Sequence, residues 1–326
     1  MAKLLEPKVL LRDRYRIAGP IGQGGMGAVY RAEDTLLSGR ICAIKEIAPD
    51  PGTGDSQLAQ LQDQFRQEAS VLARLDHPNL PKVSDYFTQD AREYLVMDYV
   101  PGGNLREIVE DARAEARFLD TADVLVWAQQ LCSALAYLHG QDPPVLHRDI
   151  KPSNIRLMPS GLIKLVDFGL VKLLTSDESR TVTVVQGQGT AAYTPLEQYG
   201  GDDAHTDTRT DIYAVGATLY HLLAGRPPAS ARERFLKADS LVPLREINST
   251  VPTIVDRAIA RALELHPDER PATVSDLGEA LQGAEDATPI GPLLLESRAQ
   301  RETWRAAAPL AIVAAVLLVV AILITP

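Results

Sequence analysis

His147-Arg148-Asp149-Ile150-Lys151-Pro152-Ser153-Asn154, followed thirteen residues after Asn154 by Asp167-Phe168-Gly169, is the stretch whose reading decides the fold. It fills every fixed position of the pattern H-R-D-x-K-P-x-N, too many sites for chance agreement. The second run closes an apolar, strand-like segment at 163–166. Together they bring two carboxylates, a carboxamide and a lysine into one short region.

That set of residue types has a chemical logic. Phosphoryl transfer needs positioning and charge neutralisation more than covalent help, so metal, nucleotide and acceptor hydroxyl must be held together. Two carboxylates then do different work. One orients a hydroxyl and takes its proton, and the other holds a divalent cation against phosphate oxygens.

Working towards the N-terminus, Gly22-Gln23-Gly24-Gly25-Met26-Gly27-Ala28-Val29 has G-x-G-x-x-G-x-V spacing, with fixed positions at Gly22, Gly24, Gly27 and Val29. Glycines allow a backbone to approach anionic phosphates. The same spacing opens dinucleotide folds, but those require a helix after the last glycine. Here Val29-Tyr30 and a second strand follow, which favours a hairpin. Ala43-Ile44-Lys45 comes on the next strand, with Lys45 eighteen residues after Gly27. Alone, a strand lysine is merely solvated; behind a glycine loop it can meet phosphates as a point charge. Glu68, on a helical pattern at 58–75 ended by Pro78, is the candidate carboxylate to fix it.

At these residues the sequence resembles the eukaryotic-like (Hanks-type) serine/threonine protein kinases of bacteria, over about residues 10–285. The resemblance implies an α+β, bilobal fold, with a small antiparallel β-rich lobe at 10–100 carrying one main helix and a larger helical lobe at 101–285. It implies Asp149 as catalytic base, Lys151 beside the transferred phosphoryl group, and Asn154 and Asp167 as Mg²⁺ ligands, with Mn²⁺ as a substitute. Lys45 paired to Glu68 would hold the α- and β-phosphates of ATP. Ala43, Met97 as gatekeeper, and Asp98 to Val100 as hinge would meet adenine. Lys151 favours serine/threonine over tyrosine acceptors. Leu72, Val83, His147 and Phe168 would stack as a spine on Asp211. Phe168 and Gly169 are carried over as structural residues of the same run.

From Asp167 to Glu197 the chain resembles an activation segment. Arg148 would bind a phosphate there, and Thr181 or Thr183 is the expected autophosphorylation site, since a phosphate can order a loop through arginine pairing. Serines and threonines are also simply common in loops. Thr190 resembles a structural threonine contacting the catalytic pair, and Glu197 with Arg270 a buried ion pair. Two positions depart from the family. Leu196 stands where a proline is usual. Arg156 replaces an aliphatic floor under adenine; its stem could serve as floor while the guanidinium reaches water, or it could weaken nucleotide binding. The partners implied are ATP and protein substrates, with a homodimer compatible. A pseudokinase scaffold is the competing reading, disfavoured because Lys45, Glu68, Asp149, Asn154 and Asp167 are all present. A small-molecule kinase of similar fold is weakened by Gly189-Thr190 and the long segment.

Local patterns agree with two halves. Strands are expected at 15–21, 28–32, 41–47, 82–88 and 93–99, with a hinge at Pro101-Gly102-Gly103. Helices are expected at 120–139, 211–225 and 253–265. The composition, 45% hydrophobic and 23% charged over 326 residues, is that of a globular chain. A net charge of −10 argues against a nucleic-acid-binding face. Cys42 and Cys132 have neither metal nor disulfide spacing.

Charges from Lys3 to Arg14 interrupt every apolar run, so no signal peptide is expected. Residues 306–324, by contrast, are 19 in a row without a charged or strongly polar side chain. As a helix they would extend about 28 Å, close to a hydrocarbon core. A buried core helix would normally keep a polar face. Arg298, Arg301 and Arg305 precede the span, in a linker at 286–305, and no positive residue follows it. The expectation is a single-pass anchor in the cell membrane with the catalytic part cytoplasmic and no room for an outer sensor.

Overall fold

The computed structural model describes residues 4–24, 27–47, 62, 65–67, 69–90, 92–167, 172–173, 191–199 and 206–283. Residues Met1–Ala284 form one compact unit. Residues 284–326, with the expected linker and membrane span, lie outside the described residues. So do Glu68, Phe168, Gly169, Thr181, Thr183 and Thr190. Among the described residues no helix is long and apolar enough to cross a membrane.

The first half is a six-stranded antiparallel sheet: β1 (Leu10–Leu11), β2 (Tyr15–Gly24), β3 (Gly27–Asp34), β4 (Ile41–Ile47), β5 (Val83–Gln89) and β6 (Arg92–Asp98), in spatial order β1-β2-β3-β4-β6-β5. Period-two alternation divides its residues between two faces. Ala28, Tyr30, Ala32, Cys42, Ile44, Tyr94 and Val96 form a cluster on one face, covered by Leu4, Leu5 and Val9. Ala43, Leu95 and Met97, with Val29 against them, belong to the core that continues into the helical half. A one-residue slip of β4 would exchange Ile44 for Lys45, so the hydrophobic pattern pins Lys45 to the inner face. The first hairpin is longer than its sequence pattern suggests. β2 runs on to Gly24 and pairs it with Gly27, because twisted antiparallel pairing extends into the glycines. Helical residues at 65–67 and 69–72 fall within the expected helix.

The second half is helical: α1 (Leu105–Ala114), α2 (Thr121–His139), α3 (Thr208–Ala224), α4 (Ala231–Leu236), α5 (Leu244–Ile247), α6 (Thr253–Ala262) and α7 (Val274–Gln282). Asp120 caps α2 by accepting from Ala122 N–H. Asp207 caps α3, and Gly225 ends it in the left-handed conformation. Every residue of α3 from Thr210 to Ala224 is buried, which makes it the spine of this half. Between α2 and α3 lie β7 (Val145–Leu146), the hairpin β8 (Ile155–Leu157) and β9 (Ile163–Leu165), and β10 (Lys172–Leu173) paired to β7.

Candidate active site

The site rests on α3. Asp211, fully buried in its first turn, accepts from His147 N–H at 3.0 Å, Arg148 N–H at 2.8 Å and His139 Nε2 at 2.9 Å. Burial pushes the Asp211 carboxyl up, but the His139 hydrogen bond, the nearby imidazoles and the backbone donor outweigh it, and its pKa is held below the ordinary value. Arg148 adopts φ 63°, a left-handed conformation that costs a non-glycine residue about 1–2 kcal/mol. That turn lets two successive N–H groups converge on one carboxylate. Charge-assisted bonds of this kind repay the strain.

The turn delivers Asp149 beyond α3's first residues. Lys151 Nζ donates to both Asp149 carboxylate oxygens at 2.8 Å, and Asn154 Nδ2 donates to the Asp149 carbonyl and to Oδ2, each at 2.8 Å. The Asn154 carboxamide nitrogen is thus committed inward, and its oxygen, 3.4 Å from Ser153 Oγ, is the hard donor left for a cation. Val166 N–H donates to the Asn154 carbonyl at 2.8 Å, tying β9's end to the same loop. Asp167 follows at φ 58°, a second left-handed residue at the site.

Across the cleft, Lys45 Nζ donates to Asp167 Oδ1 at 2.6 Å. Burial works to raise the Asp167 pKa. The Lys45 charge and hydrogen bond reverse that and hold the carboxyl below its ordinary value, so Asp167 is an anion at neutral pH. The register sets Lys45 opposite both Val29 and Leu95, and Ala43 opposite Met97, so these residues share the inner surface above the cleft. Gly27 has a packing reason as well as a phosphate one: at φ 152°, a Cβ there would lie 1.9 Å from the Glu46 carbonyl oxygen. A Cβ at Gly22 would meet only ordinary contacts from Val29.

At the hinge, Asp98 N–H donates to the Lys82 carbonyl at 3.0 Å, and Val100 is buried. Arg156 does not send its guanidinium only to water. Nε donates to the Val100 carbonyl at 3.0 Å and Nη2 to the Gly102 carbonyl. The expected exposed head is corrected to a backbone-bound one, because β8 runs directly beneath the hinge.

The expected pair Glu197 and Arg270 is brought together. Arg270 donates to both Glu197 oxygens at 2.6 and 3.1 Å, and to the carbonyls of Arg209, Glu264 and Leu265 at 2.8–3.0 Å. All five donors of the guanidinium are thereby used. Of the expected spine, Leu72, Val83 and His147 are buried; Phe168 lies outside the described residues. Two contributors escaped the sequence reading. His139 braces Asp211, and Thr206 Oγ1 accepts from Arg148 Nη2 at 2.6 Å. His139 stands at a helix end, and Thr206 in a polar stretch, so neither carried a periodic or motif signal.

The residues suit a magnesium nucleotide. Asp167 and Asn154 offer two hard oxygen donors, too few for a protein-only cage. Mg²⁺ favours such sites, where phosphate and water oxygens complete an octahedron.

The sequence pattern of the protein kinase domain matches residues 15–277. The chain is 33% identical over 289 residues to the probable serine/threonine-protein kinase PknB of Corynebacterium glutamicum, an alignment covering 83% of this chain and 42% of that protein. It is 35% identical over 228 residues to serine/threonine-protein kinase B of Synechocystis sp., covering 67% and 38%. The chain thus matches about two-fifths of the length of these relatives. Among solved structures it resembles the Mycobacterium tuberculosis PknI kinase domain, with TM-score 0.64 and 26% identity over 86% of this chain and 99% of that one. The apo form of PpkA-294 gives TM-score 0.69 and 30% identity over 86% of this chain and all of that one. With four-fifths of its length matching the domain, and with the cleft, catalytic turn and buried supports built as described, this chain belongs to the protein kinase family.

Proposed function

We propose that the chain is a serine/threonine protein kinase that moves the γ-phosphoryl group of ATP to Ser/Thr hydroxyls of proteins. The observation that carries this reading is the convergence of Asp149, Lys151 and Asn154 on one turn, facing the Lys45–Asp167 bridge. Asp149 accepts the acceptor proton once the hydroxyl displaces one of its present donors. Lys151, already 2.8 Å from that carboxylate, faces the charge that develops on the transferred group. Lys45 holds the phosphates, and Glu68 is its proposed second carboxylate. Asn154 and Asp167 would hold Mg²⁺, which supplies charge neutralisation between phosphate oxygens. Gly22, Gly24 and Val29 cover the nucleotide, and Ala43, Met97, Asp98 and Val100 receive adenine.

The test is incubation of the full chain in detergent with Mg²⁺ and labelled ATP, beside Asp149→Asn. Label on the wild type and on a Ser/Thr acceptor, absent from the variant, is expected. A folded wild type that labels nothing would instead support the scaffold reading. Mass spectrometry of the labelled chain then reads regulation: phosphate at Thr181 or Thr183, for which Arg148 is the proposed binding arginine, is the expected switch.

Membrane attachment belongs to the same proposal and rests on the 19 apolar residues at 306–324. Deleting 306–326 should move the protein from the membrane pellet to the supernatant. Full-length protein found soluble without detergent overturns the anchor.

A further inference from the structure

β8 and β9 form a hairpin in which Arg156 is paired directly with Lys164. Ile155, Ile163 and Leu165 are buried in the helical half. By the two-residue alternation of strands, Arg156 and Lys164 share the opposite face. Like charges directly opposite each other are unfavourable in a sheet unless each finds an acceptor. Both find one in backbone. Lys164 Nζ donates to the Leu80 carbonyl at 2.9 Å, in the segment that enters β5. Arg156 donates to the carbonyls of Val100 and Gly102, in the segment that leaves β6. The hairpin therefore grips both segments flanking the β5–β6 pair.

The grip on the exit segment is made close by the backbone. Asn104 and Arg156 form a β-bridge, and Leu157 N–H donates to the Gly103 carbonyl at 2.9 Å. At Gly102, φ is 102° and a Cβ would lie 2.1 Å from the Leu157 carbonyl oxygen, so only glycine allows this approach. The Arg156 stem lies between β8 and the hinge, where a flexible aliphatic residue would fill space without bonding. A planar guanidinium with two committed donors fixes the hinge instead.

We propose that Arg156 is a positioning residue for nucleotide: it straps the Val100–Gly102 hinge to β8 and so holds the adenine end of the cleft in its binding shape. The inference rests on the kinase reading for what binds there, and on geometry alone for the strap. Preorganisation of this kind acts on affinity, because the free protein no longer has to order the hinge when ligand arrives.

The test compares full-length wild type, Arg156→Leu and Arg156→Lys. Arg156→Leu should raise KM for ATP and Kd for ADP roughly tenfold, the scale of one charge-assisted hydrogen bond. Its kcat should stay within about twofold, since the side chain reaches no reacting group. Arg156→Lys, which keeps one cationic donor, should recover part of the affinity. Without nucleotide, hydrogen exchange at the Leu157 amide, which donates to the Gly103 carbonyl, should quicken in Arg156→Leu while exchange in α3 stays unchanged. Unchanged or tighter nucleotide binding in Arg156→Leu overturns the proposal, as does unchanged exchange at that amide. A wild type that binds no nucleotide sinks the kinase reading alone, because the exchange comparison still judges the strap.

Discussion

The molecule holds its charged pairs in two contrasting ways. Below the cleft, Arg270 and Glu197 have side-chain exposures of 0% and 7%, and every guanidinium donor is matched. In the cleft, Lys45 and Asp167 are 21% and 45% exposed, and Lys151 and Asp149 are 20% and 24% exposed. A buried pair with no spare donor has a single arrangement, and breaking it strands a charge. A half-open pair can exchange its partner for a phosphate, a cation or a hydroxyl. Support and chemistry are thus separated by accessibility, although both use the same residue types.

The largest effect should come from the open set. Asp149→Asn should lower kcat by about 10²- to 10⁴-fold while leaving the thermal midpoint nearly unchanged, because the isosteric carboxamide oxygen can still accept a hydrogen bond from Lys151 or Asn154. A large loss of stability would show that the cleft is as structural as the base beneath it. Arg270→Met attacks the other side of the contrast. It should cost about 3–5 kcal/mol in denaturant unfolding, since the buried Glu197 carboxylate loses its cation and keeps the Thr210 hydroxyl, and three carbonyls lose the Arg270 donors.

A titration sharpens the same contrast. His221 on α3 is buried, and its Nδ1 is hydrogen-bonded to Tyr193 Oη at 2.6 Å. Burial, aided by the positive charges of Arg106 and Arg113, pushes its pKa down to about 4 from 6.5. The unfolded chain therefore binds a proton between these values that the folded one refuses. Stability is complete above about pH 6.5 and is lost as pH falls towards 4, by at most about 3 kcal/mol from this group. His221→Phe should flatten that part of a stability-against-pH curve measured by denaturant unfolding. An unaltered slope would move the proton uptake elsewhere. The smallest effect is expected at α1. Asn104 there forms a reciprocal capping box with Glu107, and Asn104→Ala should cost about 1 kcal/mol. Its proximity to the hinge makes a larger loss, read in the same assay, a sign that cap and hinge are one unit.

Several elements are legible locally. α2 is visible from its apolar spacing and its Asp120 cap, and the β-sheet from alternation. α1 and α7 are not among the expected helices, although both carry a capping signature, Asn104-x-x-Glu107 and Thr273-x-x-Asp276. Those signatures are as local as the Asp120 cap of α2, so both helices are legible from the sequence by their caps even at about ten residues. Arg156 is visible as a departure, but its partners are not, because hydrogen bonds to carbonyls more than fifty residues away leave no local trace.

The sequence by itself determined the family and which residue types gather on the 147–154 turn and at Asp167, because those depend on residue types at fixed short spacings. It also determined that Lys45 lies on the face opposite Ile44, since alternation is a property of the strand. Only the tertiary structure decided which charges are sealed and which are open, that His139 and Thr206 brace the catalytic turn, and that Arg156 binds the hinge. These are consequences of how distant segments pack, and burial and hydrogen-bond partners exist only once the chain has brought them together.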